Sequence, residues 1–207
     1  MTPGPTIIRK CSSCTKRFSQ QTLKSGNTIG ARFWTDGKVD APMLPDLPWL
    51  VKCPNCGALL WLDEQKKVGQ IWPESEKRKR VPAPYFTTPS ADDYLALLQD
   101  ETLSRERKRY LRRRAWWAGN DGRREAQDKQ PLSEKETRNL AALAALLSET
   151  DADDRLTKAE VFRELGQFQE AKRLLSVCFD VEFSLDVLNI KELVERECPF
   201  VAEIKPP

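Results

Sequence analysis

The sequence predicts an α+β protein, in which a small and mostly β module precedes an all-α region. Two observations predict this division. Short cysteine pairs stand among β-prone residues near the start of the chain, and helical spacing of apolar residues begins at Ser90. A charged, proline-containing stretch separates the two patterns. We therefore expect a β module over residues 1–63, a linker over 64–89 and a helical domain over 90–207.

The β module contains two cysteine pairs, each with two intervening residues. This spacing lets a tight turn direct both sulfurs at one ion, and four thiolates at about 2.3 Å complete the tetrahedral shell of Zn²⁺. The start of the sequence has no signal-peptide pattern, which favours a reducing, cytoplasmic location and metal over disulfides. A thiol redox pair is the alternative, but two pairs on short β turns favour a shared ion. The predicted ligands of this structural zinc are Cys11, Cys14, Cys53 and Cys56.

A hairpin and a linker are predicted around the second cysteine pair. Asp36-Gly37 stands between β-prone residues and favours a hairpin turn, because glycine adopts positive φ at low cost. After the second pair, residues 64–89 combine charges with prolines and predict an extended linker. Its basic run Lys77–Arg80 is also compatible with a nuclear-localisation signal, although nothing else in the sequence requires one.

Capping residues and apolar spacing predict six helices after residue 89. Ser90 begins the first, and Ser133 with Glu136 forms a capping box for the third. The second is expected over 103–117, ending before the Gly119–Gly122 segment. The remaining three are expected from Asp154 to Gly166, from Phe168 to Cys178 and from Ile190 to Glu197.

Two family resemblances follow from these motifs. The first 63 residues resemble zinc-ribbon modules through their CxxC and CPxCG turns. Residues 155–178 resemble one tetratricopeptide (TPR) repeat, with Ala159 and Ala171 at its small positions and Gly166 at its helix end. Arg155 and Phe183 depart from the repeat's aromatic and proline positions, and no second copy is evident. The layout is similar to that of bacterial zinc-ribbon/TPR-like proteins, which implies a TPR-like helical bundle but no particular activity.

Composition excludes several classes of function. The chain has no histidine, which excludes Ser-His-Asp and Cys-His nucleophilic sites and histidine metal ligands. No Gly-rich phosphate loop or nucleophile elbow is present. We therefore expect a protein that is not an enzyme. No run of about 18 apolar residues exists, so no membrane span is expected.

The predicted function is that of a non-catalytic interaction or adaptor protein with a protein or peptide partner. Helical hairpins stack into surfaces that bind such partners. The alternative is nucleic-acid binding through the Arg-rich helix 103–117 and four basic residues of the β module. In the helix, the simpler interpretation is a solvated face or pairing with the acidic last third of the chain. The candidate residues are Arg105, Arg107, Lys108, Arg109, Arg112, Arg113 and Arg114 in the helix, and Arg9, Lys10, Lys16 and Arg17 in the module.

Overall fold

The computed structural model of the protein describes residues 1–73 and 83–205. The chain forms two compact units. We call the first, Met1–Ala31 with Asp40–Pro89, the β unit, and the second, Arg32–Val39 with Ser90–Pro207, the helical unit. The α+β prediction is confirmed. The basic run Lys77–Arg80 lies outside the described residues.

Short antiparallel strands build the β unit. β2 is the centre of a three-stranded sheet in the order β3-β2-β9, and β1 pairs with β4 and β7 with β8. A further short pair, β5 with β6, forms the hairpin predicted at Asp36-Gly37, and Gly37 has a φ of 77°. The strands are β1 (Thr2–Pro3), β2 (Thr6–Lys10), β3 (Arg17–Gln20), β4 (Leu23–Ser25), β5 (Arg32–Phe33), β6 (Val39–Asp40), β7 (Leu50–Lys52), β8 (Leu59–Trp61) and β9 (Lys66–Ile71).

The structure differs from the predicted boundaries in two places. The expected linker contains β9, which pairs with β2 and so belongs to the β unit. Lys66 and Lys67 of this stretch lie on β9, an edge strand, where one side of the backbone stays in solvent and charged side chains are common. The charged run 74–80 that suggested a linker lies outside the described residues. The hairpin residues Arg32–Val39, expected in the β module, belong to the helical unit.

Six α-helices form the helical unit within its described residues. The capping boxes at Ser90 and Ser133 are both present, so these two helix starts are confirmed. The fourth helix is capped by Asp151, three residues before the predicted Asp154, and the Asp151 side chain accepts from the Asp154 N–H. The helices are α1 (Ala91–Leu97), α2 (Arg105–Arg124), α3 (Glu134–Ala144), α4 (Ala152–Glu164), α5 (Phe168–Leu175) and α6 (Ser184–Glu195).

The prediction that the second helix ends before Gly119 is wrong, because α2 continues to Arg124. Packing overrides the low helix propensity of glycine here. A Cβ at position 119 would lie 2.6 Å from Glu136 Oε1, so glycine permits the close approach of α3 to α2. The next residue, Asn120, is buried.

Each unit has its own apolar core. In the β unit, Phe18, Val51 and Leu60 pack around the buried cysteines. In the helical unit, one cluster surrounds Trp116 and a second contains Ala159 and Ala171, where α4 and α5 pack as a helical hairpin. No helix in the described part of the chain is both long and apolar enough to cross a membrane.

Candidate functional site

The four predicted cysteine ligands lie together in the β unit, with their sulfurs within 4.8 Å of one another. Cys11 Sγ lies 3.9 Å from Cys56 Sγ, and Cys14 Sγ lies 3.8 Å from Cys53 Sγ. Four sulfurs at about 2.3 Å from a central ion form a tetrahedron with edges of about 3.8 Å. The sulfur separations are therefore those of four ligands around one metal ion.

The two cysteine turns share one backbone geometry. Cys11 N–H donates to the Lys16 carbonyl at 2.9 Å, and its own carbonyl accepts from Thr15 N–H at 3.0 Å. The second turn repeats both bonds at the same offsets from Cys53, at 2.8 and 2.9 Å. The fourth residue after the first cysteine has positive φ in each turn, 63° at Thr15 and 76° at Gly57. The sequence therefore builds the same sulfur-presenting turn twice.

The surroundings of Cys53 and Cys14 give their thiols different pKa values. Burial raises the pKa of Cys53, but hydrogen bonds from the backbone N–H groups of Asn55 and Cys56 bring it down to about 7. The Lys16 backbone lowers the pKa of Cys14, but burial and the neighbouring cysteines raise it to about 11. Four thiolates this close repel one another, so full deprotonation requires a cation among them.

Most candidate cations of α2 contact other groups of the helical unit. Arg109 forms ion pairs with Asp154 and, at 3.7 Å, with Asp153. The Arg113 guanidinium lies 3.9 Å from Asp153, and burial lowers the pKa of Arg113. Part of the Arg-rich helix is therefore paired with the acidic last third of the chain.

The other candidate cations of α2 bind carbonyls, an amide or rings. Arg105 donates to the Leu146 carbonyl at 2.8 Å, Lys108 to the Glu101 carbonyl at 3.1 Å and Arg112 to Asn139 Oδ1 at 3.2 Å. Arg114 lies over the rings of Tyr110 and Trp117, at 5.7 and 5.4 Å, and Arg107 lies in the first turn of the helix. Nucleic-acid binding by these residues stays a prediction.

The basic residues of the β unit are arranged differently. Lys10 on β2 is directly opposite both Arg17 on β3 and Lys66 on β9, and all three are exposed. Directly opposed residues of antiparallel strands point to the same face of the sheet. Exposed Lys16 adjoins this row, whereas Arg9 donates to Gln20 and to the Gln65 carbonyl, both at 2.7 Å.

Sequence reasoning missed a buried charged network in the helical unit, formed by Asp36, Asn120, Arg124, Glu160, Arg163 and Glu164. These residues are between 0 and 8% exposed. Arg124 donates to both oxygens of Asp36, at 3.2 and 2.7 Å, and lies 4.8 Å over the Trp34 ring. Arg163 donates to both oxygens of Glu160, at 2.7 and 2.5 Å. Each guanidinium therefore has its own carboxylate.

Glu164 is the third carboxyl of the network. It accepts hydrogen bonds from Trp116 Nε1 at 2.8 Å and from Asn120 Nδ2 at 3.0 Å. Burial, together with the charges of Glu160 and Asp36, raises the pKa of Glu164 to about 8. Glu164 therefore carries a proton in much of the protein at pH 7.

The signal that could have found this network lies in α4. Glu160, Arg163 and Glu164 share the inner side of a helix whose other buried residues include Ala159 and Val161. Charges at core-facing positions of a helix indicate a polar network, because an unpaired buried charge is too costly. Their partner Asp36 lies far away in sequence, in the predicted hairpin turn.

Comparisons with protein-family models, with curated proteins and with solved structures find no match to this chain.

Proposed function

We propose that this protein is a non-catalytic binding protein, in which a structural Zn²⁺ holds the β unit and the β unit binds the phosphate backbone of a nucleic acid. Cys11, Cys14, Cys53 and Cys56 would bind the zinc, which would stabilise the fold and leave no open coordination position. The tetrahedral separation of the four sulfurs supports this assignment. The observation that carries the nucleic-acid proposal is the row Arg17–Lys10–Lys66, which we call the basic row.

The three neighbouring positive charges of the basic row favour an anionic binding partner. Neighbouring strands are about 4.8 Å apart, so the strand register places three cationic side chains next to one another on one face of the sheet. Like charges directly opposite each other destabilise a sheet. None of the three residues forms an ion pair with any residue of the described ranges 1–73 and 83–205. A regular row of cations at this spacing suits the repeating phosphates of a polynucleotide.

Two residues of the basic row lie close in sequence to the first pair of proposed zinc ligands, which links the zinc site to the nucleic-acid surface. Lys10 precedes the ligand Cys11, and Arg17 begins the strand that leaves the first cysteine turn. The zinc would therefore fix the strand ends that carry two of the three charges. In α2, by contrast, the arginines are engaged within the helical unit, so the proposal moves the nucleic-acid surface from the helix to the sheet.

The experiment is a fluorescence-anisotropy titration of the zinc-loaded protein with labelled single-stranded RNA and duplex DNA at several salt concentrations. For three phosphate contacts, log K should fall with log salt with a slope of about −2 to −3. Lys66→Glu should weaken binding to all sequences and reduce the slope by about 1. Lys66 is an exposed residue of β9 and is not one of the four cysteine ligands, so this variant should retain the metal.

Lys24→Glu is the matched control, because Lys24 is an exposed lysine on β4 of the same unit and lies outside the basic row. It should leave affinity close to the wild-type value. Equal loss in both variants, or no binding at low salt, would overturn the nucleic-acid proposal. A pull-down with and without nuclease would then test the predicted protein or peptide partner, and the zinc content would still test the metal site by itself.

A further inference from the structure

A cavity of about 250 Å³ lies within the helical unit. It is formed by the C-terminal part of α2, the start of α3, the end of α4 and the C-terminal segment. Its walls include the apolar side chains of Leu132, Leu165 and Phe200, and Asn120 and Glu164 line it as well. At about 30 Å³ per water-sized atom, this volume holds on the order of eight non-hydrogen atoms.

Two of the polar residues that line the cavity, Asn120 and Glu164, have unused hydrogen-bonding capacity. Asn120 is 1% exposed, and its Nδ2 lies 3.0 Å from Asp36 Oδ2 and 3.0 Å from Glu164 Oε1. This places the amide nitrogen among carboxyl oxygens, and Asn120 Oδ1 has no hydrogen-bond partner among the described residues. A buried carbonyl oxygen without a donor is costly, and it favours a ligand that supplies one.

The charged groups of the buried network indicate whether that ligand should be a cation or an anion. The buried network has three carboxyls and two guanidiniums. Arg124 is hydrogen-bonded to Asp36 and Arg163 to Glu160, so Glu164 is the one carboxyl of this network with no guanidinium hydrogen-bonded to it. Arg123 also lines the cavity, but it donates to both oxygens of Glu136, at 2.6 and 2.9 Å. When Glu164 ionises, as it does when the pH rises towards its pKa of about 8, no guanidinium among the described residues is hydrogen-bonded to it, so a bound cation would balance the new charge.

We propose that this cavity binds a small organic cation, a primary or secondary amine with an apolar body, whose ammonium group donates to the Glu164 carboxylate and to Asn120 Oδ1. The body of the amine would pack against Leu132, Leu165 and Phe200. A metal ion fits less well, because one carboxylate and one amide oxygen fall short of the six or more oxygens that Ca²⁺ or Mg²⁺ requires. This site lies in the helical unit and does not depend on nucleic-acid binding.

The test uses benzylamine, which has eight non-hydrogen atoms, and benzyl alcohol as its uncharged counterpart of the same shape. Binding to the full-length, zinc-loaded protein is followed by NMR chemical-shift titration. Benzylamine should bind at least about tenfold more tightly than benzyl alcohol, because it adds a charge-assisted hydrogen bond. Its affinity should rise between pH 6 and pH 8, because the ammonium pairs with ionised Glu164 and the pKa of that group is about 8.

Glu164→Gln should remove both the preference for benzylamine over benzyl alcohol and its pH dependence. Glu182→Gln, at an exposed position, is the matched control and should keep the wild-type preference. Thr137→Trp serves as a second variant, because exposed Thr137 lines the cavity and a larger side chain there should block both compounds without disturbing the core. Equal affinities for the two compounds, or binding that Thr137→Trp leaves intact, would overturn the proposal.

Discussion

The cysteine cluster of the β unit and the buried network of the helical unit both gather ionisable groups from distant segments, but they balance charge differently. The four sulfurs have mainly one another as neighbours, so their charge has to be balanced by an added metal ion. In the buried network, Arg124 and Arg163 balance Asp36 and Glu160 from within the chain. The β unit should therefore depend on metal for its fold, whereas the helical unit should depend on its own side chains.

The largest expected effect is the loss of a cysteine ligand. Cys53→Ser should unfold the β unit, since structural zinc contributes on the order of 10 kcal/mol to the fold of such small sites. Hydrogen exchange followed by mass spectrometry should show lost protection in β2, β7 and β8, with α2–α5 still protected. Cys178→Ser is the control, because Cys178 is exposed and lies outside the cluster. Retained protection of all strands without metal would contradict this expectation.

The next effect comes from breaking an ion pair of the buried network. Asp36→Ala leaves the Arg124 guanidinium, whose side chain is 3% exposed, without its carboxylate. Removing one partner of a buried pair costs about 3–5 kcal/mol. Urea unfolding followed by circular dichroism should show this loss in the helical transition, with zinc content unchanged. Asp128→Ala, at an exposed position, should change the free energy of unfolding by less than about 0.5 kcal/mol.

An effect of similar size should appear in the pH dependence of stability. The folded pKa of Glu164, about 8, lies above its unfolded value of about 4.3, so between these values the folded state binds more protons. The resulting stabilisation is complete below about pH 4 and is lost as the pH rises through 8. Because Glu164→Gln removes this titration, the wild type should lose on the order of 4 kcal/mol relative to the variant between pH 5 and pH 9. Parallel curves for the two proteins would show that Glu164 does not titrate in this range.

The cysteine cluster and the buried network also differ in how far their features could be predicted from the sequence. The metal cluster was predictable because each half of it is a local motif of four residues. The buried network was not, because Asp36 and Arg124 are 88 residues apart and neither belongs to a motif. The end of α2 was mispredicted for the same reason, since the glycine that suggested a helix end serves packing against Glu136 on α3. The basic row became visible only when the strand register placed Lys10 opposite two other cations.

The smallest expected effect concerns the difference between the two cysteine turns. Thr15 and Gly57 occupy equivalent positions with positive φ, but a β-branched residue is strained in this conformation, whereas glycine is not. Thr15→Gly should therefore stabilise the zinc-loaded β unit by about 0.5–1 kcal/mol, the left-handed strain of about 1–2 kcal/mol less the added flexibility of unfolded glycine.

The reciprocal variant, Gly57→Ala, should destabilise the β unit by about 1 kcal/mol. Among the described residues beyond its two chain neighbours, the Lys52 Cε at 3.9 Å is the only atom within 4 Å of the added Cβ, so the cost comes from backbone conformation and not from a clash. Both changes can be measured as shifts in the thermal midpoint of the β unit at fixed free zinc. If the two variants shifted the midpoint in the same direction, the cysteine turns would not be equivalent, and the shared backbone pattern would not be what positions the four sulfurs.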